Sequence, residues 1–74
     1  MIYKADELVG ERRLEVFREH LGAHSFICLE DEVVIDIQSI HLFIWAYDAM
    51  KSERNKHTML NGPLGKVLYT LWRM

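Results

Sequence analysis

A single cysteine, a single proline and four glycines among 74 residues exclude several architectures at once. Cys28 has no second thiol to pair with, so no disulfide framework supports a chain whose small size limits the share of surface it can bury. A lone cysteine suits a reducing compartment and a small hydrophobe in a core. Low proline and glycine rule out collagen-like and low-complexity chains. No apolar run reaches the eighteen or so residues that a membrane-spanning helix requires. The opening "MIYKADELVGERR" has no basic stretch followed by an apolar one, so no secretory leader is expected and the expected compartment is cytoplasmic. The net charge is only −2, which gives no global attraction to nucleic acid.

Half of the residues are apolar, too many for a disordered chain and normal for a folded one. The length fits one domain over residues 1–74. Charge is uneven along the chain. Residues 1–38 hold nine acids against four bases, and residues 39–74 hold two acids against five bases. Such asymmetry favours pairing of two copies or steering of a partner, or it is ordinary solvated surface.

Periodicity predicts a first helix over Asp6–Leu21. Val9, Leu14, Val16, Phe17 and Leu21 gather on one side, and Glu11, Arg12, Glu15, Arg18 and Glu19 on the other. Asp6 has the chemistry of an N-cap and Gly22 that of a C′ residue. Gly10 weakens the first turns, which moves the firm start toward Glu11. Arg13 falls inside the apolar arc, either snorkelling or meeting another element.

The stretch from Ser25 to Met50 supports two readings. Val33, Ile37, Ile40, Ile44 and Tyr47 fit the seam of one long helix. "SFICL" and "EVVIDI" instead read as two short strands around an acidic corner. Four β-branched residues within Val33–Ile37 are poor helix chemistry, and a lone apolar strand would leave an exposed edge. A hairpin over Ser25–Ile37 is therefore expected. A helix over Ile40–Asn55 then follows, capped by Ser39 and apolar around most of its girth. "MLNGPLG" reads as a turn and Pro63–Arg73 as the last helix. The fold expected is α+β in the order α-β-β-α-α, with an all-α three-helix bundle as the alternative.

The chemical motifs are weak. "GPLGK" has two residues between its glycines where a phosphate loop has four, and Val67 stands where the hydroxyl should be. His20, His24 and Cys28 recur every four residues, with Glu19 adjacent, but Gly22 interrupts the helix that would align them, and zinc sites use tighter ligand pairs. The acidic trio Glu30–Asp31–Glu32 lacks the alternating oxygens and glycine of a calcium loop. Nor does an acidic neighbourhood supply the electropositive setting that a reactive thiol at Cys28 would need. No enzyme, metal site or cofactor is expected.

The aromatic surplus points elsewhere. Trp45 sits at the edge of the apolar face of its helix, Tyr69 falls off the main stripe of the last helix, and Trp72 shares that stripe with Leu64, Val67, Leu68 and Leu71; with Arg73 the three have the chemistry of interface anchors. The expected function is a small non-catalytic protein–protein interaction module. It would be a regulator or inhibitor, of the sort phages and mobile elements encode, that occludes a partner protein through the surface of its last two helices. Self-association as a homodimer through the same helices is also expected. The alternative is a nucleic-acid-associated regulator using Lys51, Arg54, Lys56 and Lys66, centred on the basic segment 51–57.

Overall fold

A computed structural model describes residues 2–73. The chain runs through β1 (Ile2–Tyr3), a 3-10 turn (Ala5–Glu7), α1 (Glu11–Ala23), β2 (Ile27–Leu29), β3 (Val34–Ile35), α2 (Ile37–Ala49), α3 (Glu53–Asn61) and α4 (Leu64–Trp72). It is an α+β fold, and a hairpin stands in place of the single long helix, though its strands span only Ile27–Leu29 and Val34–Ile35 and Ile37, expected at its end, opens α2. Two elements were not expected. A short strand precedes the first helix, and the predicted helix Ile40–Asn55 is two helices separated at Met50–Ser52. The order is thus β-α-β-β-α-α-α.

The sheet has strand order β1-β2-β3. β1 is parallel to β2 and β2 antiparallel to β3, so α1 serves as the crossover that a parallel pair requires. The β2–β3 turn is closed by Leu29 N–H to Val33 O at 2.9 Å and Glu32 N–H to Leu29 O at 3.2 Å. Glu32 has φ 66°, the left-handed residue that completes a three-residue hairpin loop. Tyr3, Ile27, Leu29 and Ile35 point inward and join Val16 and Phe17 of α1, Ile40, Phe43 and Ile44 of α2, Met59 of α3, and Leu64, Val67 and Leu71 of α4 in one core. The Phe17 and Phe43 rings meet at 4.4 Å between centroids at its centre.

Helix ends explain the shifted boundaries. α1 starts at Glu11, as the weakening by Gly10 suggests, and Asp6 belongs to the 3-10 turn rather than to a cap. Gly10 has φ 62° and ψ −144°, a conformation that a side chain would strain. α1 runs past Gly22, and His24 ends it in the left-handed conformation at φ 54°. Asp36, not Ser39, caps α2 by accepting the Ser39 N–H at 2.8 Å. That contact holds the Asp36 carboxyl below its usual range. Ser52 caps α3 by accepting the Asn55 N–H at 3.3 Å.

Arg13 is the one buried charged side chain among the described residues, 2 % exposed. It does not snorkel; it meets another element. Its Nε donates to Leu8 O and its Nη1 to Met59 O, each at 2.6 Å. Burial lowers its pKa from the ordinary arginine value. The Gly10 N–H donates to Leu60 O at 2.9 Å, and the Gly62 N–H to Thr58 O at 2.7 Å. The Met59 and Leu60 carbonyls, which the end of α3 leaves without helical partners, are therefore met by Arg13 and Gly10 at the start of α1. A Cβ at Gly62 would stand 2.6 Å from Thr58 O, so the close approach itself requires glycine.

Candidate functional site: an aromatic face on α2 and α4

The 100° step of α2 puts Gln38, His41, Leu42 and Trp45 on one side, opposite the buried Ile40, Phe43 and Ile44. On α4, Leu64, Val67 and Leu71 face the core, which turns Tyr69 and Trp72 outward. Trp45 is 63 % exposed, Tyr69 62 % and Trp72 54 %. Trp72 crosses from α4 to α2, where its Nε1–H donates to Ser39 Oγ at 2.9 Å. Ser39 thus ties the two helices together instead of capping one. Gln38, His41, Leu42, Trp45 and Trp72 line one open groove of about 360 Å³.

Tyr69 of α4 pairs with Arg73, the residue that follows the helix, one turn on. The guanidinium sits 5.4 Å from the ring centroid, and its Nη1 donates to the Tyr69 hydroxyl at 3.2 Å. The structure therefore brings Trp45 to Trp72 and Tyr69 to Arg73, both pairs solvent-exposed. An indole held by a hydrogen bond and a tyrosine braced by a guanidinium lose little side-chain freedom when a partner covers them. Neither the tie through Ser39 nor the groove is encoded at helical spacing, since Ser39 and Trp72 lie 33 residues apart.

A second groove of about 430 Å³ opens between α3 and α4. Met50, Met59, Pro63, Val67 and Leu71 supply its apolar lining, and Asn55, Thr58, Lys66 and Thr70 the rest. The four basic residues of the nucleic-acid alternative are spread over three elements. Lys51 lies in the α2–α3 connection, Arg54 is exposed on α3, and Lys66 lines the second groove. Lys56 lies over the Tyr47 ring at 5.4 Å. Nearby, Asp48 takes Arg18 in a bidentate pair at 2.7 and 3.3 Å. The pair lowers the Asp48 pKa and raises that of Arg18.

The residues weighed as zinc ligands do not converge. His20 Nε2 shares a hydrogen bond with the Tyr3 hydroxyl and Nδ1 one with Ser25 Oγ, each at 3.0 Å. Both ring nitrogens thereby join β1, α1 and the loop before β2. Spacing gives no hint of this Tyr–His–Ser chain, and among the described residues no carboxylate hydrogen-bonds to the ring. Nor do three or more His, Cys, Asp or Glu side chains cluster among the described residues. No described helix is long and apolar enough to cross a membrane. No protein-family model matches the chain, and neither the curated proteins nor the solved structures contain a significant match to it.

Proposed function

We propose that this chain is a small non-catalytic protein-interaction module, a regulator or inhibitor that lays the α2–α4 aromatic face over the working surface of another protein. The observation that carries the reading is the exposure of Trp45, Tyr69 and Trp72 on two adjacent helices, with Trp72 already pinned to Ser39. Exposed aromatics of this kind contribute large contact area with few rotatable bonds, and they dominate measured interface energetics. The rigid helical footing supports occlusion by a preformed surface rather than by a segment that folds on binding.

The test is co-purification of partners with the tagged chain, compared among wild type, W45A, W72A and a K51A/R54A/K66A variant. The reading expects a specific protein to be lost with W45A and W72A and kept with the basic-residue variant. Each variant must still unfold cooperatively. Loss of binding only in the basic-residue variant, with affinity falling steeply as salt rises, would favour the nucleic-acid alternative, which rests on the exposure of Lys51, Arg54 and Lys66.

A further inference from the structure

The groove between α3 and α4 has the make-up of a small-molecule site. Its volume of about 430 Å³ lies in the usual range of such sites, and a mostly apolar lining with a few polar groups is their usual composition. Met50, Met59, Pro63, Val67 and Leu71 supply the apolar part, and the unbranched thioethers of the two methionines adapt to a flexible chain. α3 and α4 are nine residues long each, so a trough between them runs roughly 13.5 Å, the reach of an extended medium-chain alkyl group with its head. We propose that this groove binds a medium-chain carboxylate, with the alkyl tail along the apolar lining and the head at Lys66.

Charge decides the head group. None of the nine lining residues is acidic, and Lys66 is the one cation among them. Lys66 forms no salt bridge with a described acid, and Thr70, one turn on, adds a hydroxyl to the same lining. The acids nearest in sequence do not compete for it. Asp48 is held by Arg18, and the 100° helical step turns Glu53 to the side of α3 opposite Asn55, Thr58 and Met59. Residues 49–73 hold five bases and one acid, against four bases and ten acids in residues 1–48. The potential at this end of the molecule therefore favours an anion, and a lining with one cation matches one monovalent head.

The inference goes beyond the interaction reading and does not depend on it. Trp45 and Trp72 line the other groove, on the other flank of α4, so either site can fail without the other. Both Lys66 and Thr70 are exposed, and one side of the bound tail stays in water. The complex is therefore weak and exchanges rapidly, which suits it to detection by chemical shift.

The experiment is an NMR titration of the full chain, labelled at amides and methionine methyls, with sodium octanoate below its micelle-forming concentration. Octanol and octyltrimethylammonium, with the same tail and a different head, are titrated in parallel. The expected result is saturable, one-to-one shift changes at the Met50 and Met59 methyls and the Lys66 and Thr70 amides, with the Trp45 indole resonance unmoved. Octanol should bind at least about tenfold more weakly, the effect of losing one charge-assisted contact. K66E should weaken octanoate by at least the same factor and admit octyltrimethylammonium instead. T70W keeps Lys66 but fills the groove, and should weaken octanoate and octanol alike. Both substitutions fall at exposed positions, and unshifted core amides verify that each variant is folded. Shifts that fail to saturate or that map to the Trp45–Trp72 groove would overturn the proposal. So would octanol binding as well as octanoate, or indifference to K66E or to T70W. Tighter binding at this groove of an acidic leucine–glutamate helical peptide than of octanoate would overturn it in favour of a protein segment.

Discussion

Replacing Arg13 by methionine tests the main tertiary bond of α3. Methionine keeps most of the apolar stem and removes both donors. Leu8 O and Met59 O then lose their guanidinium partner. A buried acceptor left without a partner costs about 1–3 kcal/mol, so the pair costs roughly 2–6. The substitution also removes a guanidinium whose burial is itself unfavourable, as its lowered pKa shows. That relief places the net loss near the lower half of the range, about 3 kcal/mol. A chain of this length has a total stability of roughly 4–11 kcal/mol, and the corresponding fall in melting temperature is about 12–24 °C. R13K keeps the charge but has no Nε, and one ammonium cannot reproduce the geometry of two guanidinium nitrogens. It should fall between wild type and R13M. Urea titration followed by tryptophan fluorescence and circular dichroism measures all three. Equal stability of R13M and wild type within about 0.5 kcal/mol, the scatter of neutral surface changes, would refute the reasoning, and so would an R13K weaker than R13M.

Other substitutions probe the backbone and the caps. G22A should stabilise the protein by up to about 1 kcal/mol, because Gly22 lies inside α1 with open space where a Cβ would go. G62A should destabilise it, since the new Cβ would meet Thr58 O; thermal melts showing the reverse order would remove both arguments. E32G should be neutral to stabilising by about 1 kcal/mol, because the left-handed conformation of Glu32 suits glycine better; a clear loss by the same melts would mean that its side chain is needed in the monomer. D36A should cost about 1 kcal/mol at neutral pH, whereas D36N keeps a capping oxygen. The folded-state pKa of Asp36 is lowered. Its ionised contribution is therefore present above about pH 4, its unfolded value, and lost as pH falls through the lower folded value. The stability difference between wild type and D36N should shrink between pH 7 and pH 2, and a difference that widens on acidification would contradict the assigned cause.

The parts of the fold legible in the sequence are those written in local chemistry. β-branched residues at Val33–Ile37 and the acidic corner before them mark the hairpin, and the apolar stripe of Leu64, Val67 and Leu71 marks α4. Asp36 displaces Ser39 as a cap because α2 begins three residues earlier than the helix expected at Ile40. β1 is two residues long, too short for any period, and it exists through pairing with β2 some 26 residues away. The break at Met50–Ser52 left a cue in Ser52 followed by Glu53, a capping residue and a favourable first-turn acid. The polar run "KSERNKH" masks it. Position relative to the helical stripe anticipates the exposure of Trp45 and Tyr69, whereas Trp72 reads as part of the stripe and is exposed because the Leu64, Val67 and Leu71 side of α4 takes the core contact. The Trp72–Ser39 tie follows from tertiary placement, which no local spacing carries.

α3 contributes only Met59 as a fully buried side chain, which alone would let it open independently of the rest. The bonds from Arg13 and Gly10 to its final carbonyls alter that. Detaching α3 separates the guanidinium from Met59 O and the Gly10 amide from Leu60 O in the same event. The penalty for a local opening is thereby borne at the start of α1 as well. In hydrogen exchange, amides of α3 should consequently share the opening free energy of the first turn of α1. Its sparse packing would otherwise give it the low value of a fraying helix. A helix that is peripheral by burial is, through two carbonyls, a member of the cooperative folding unit.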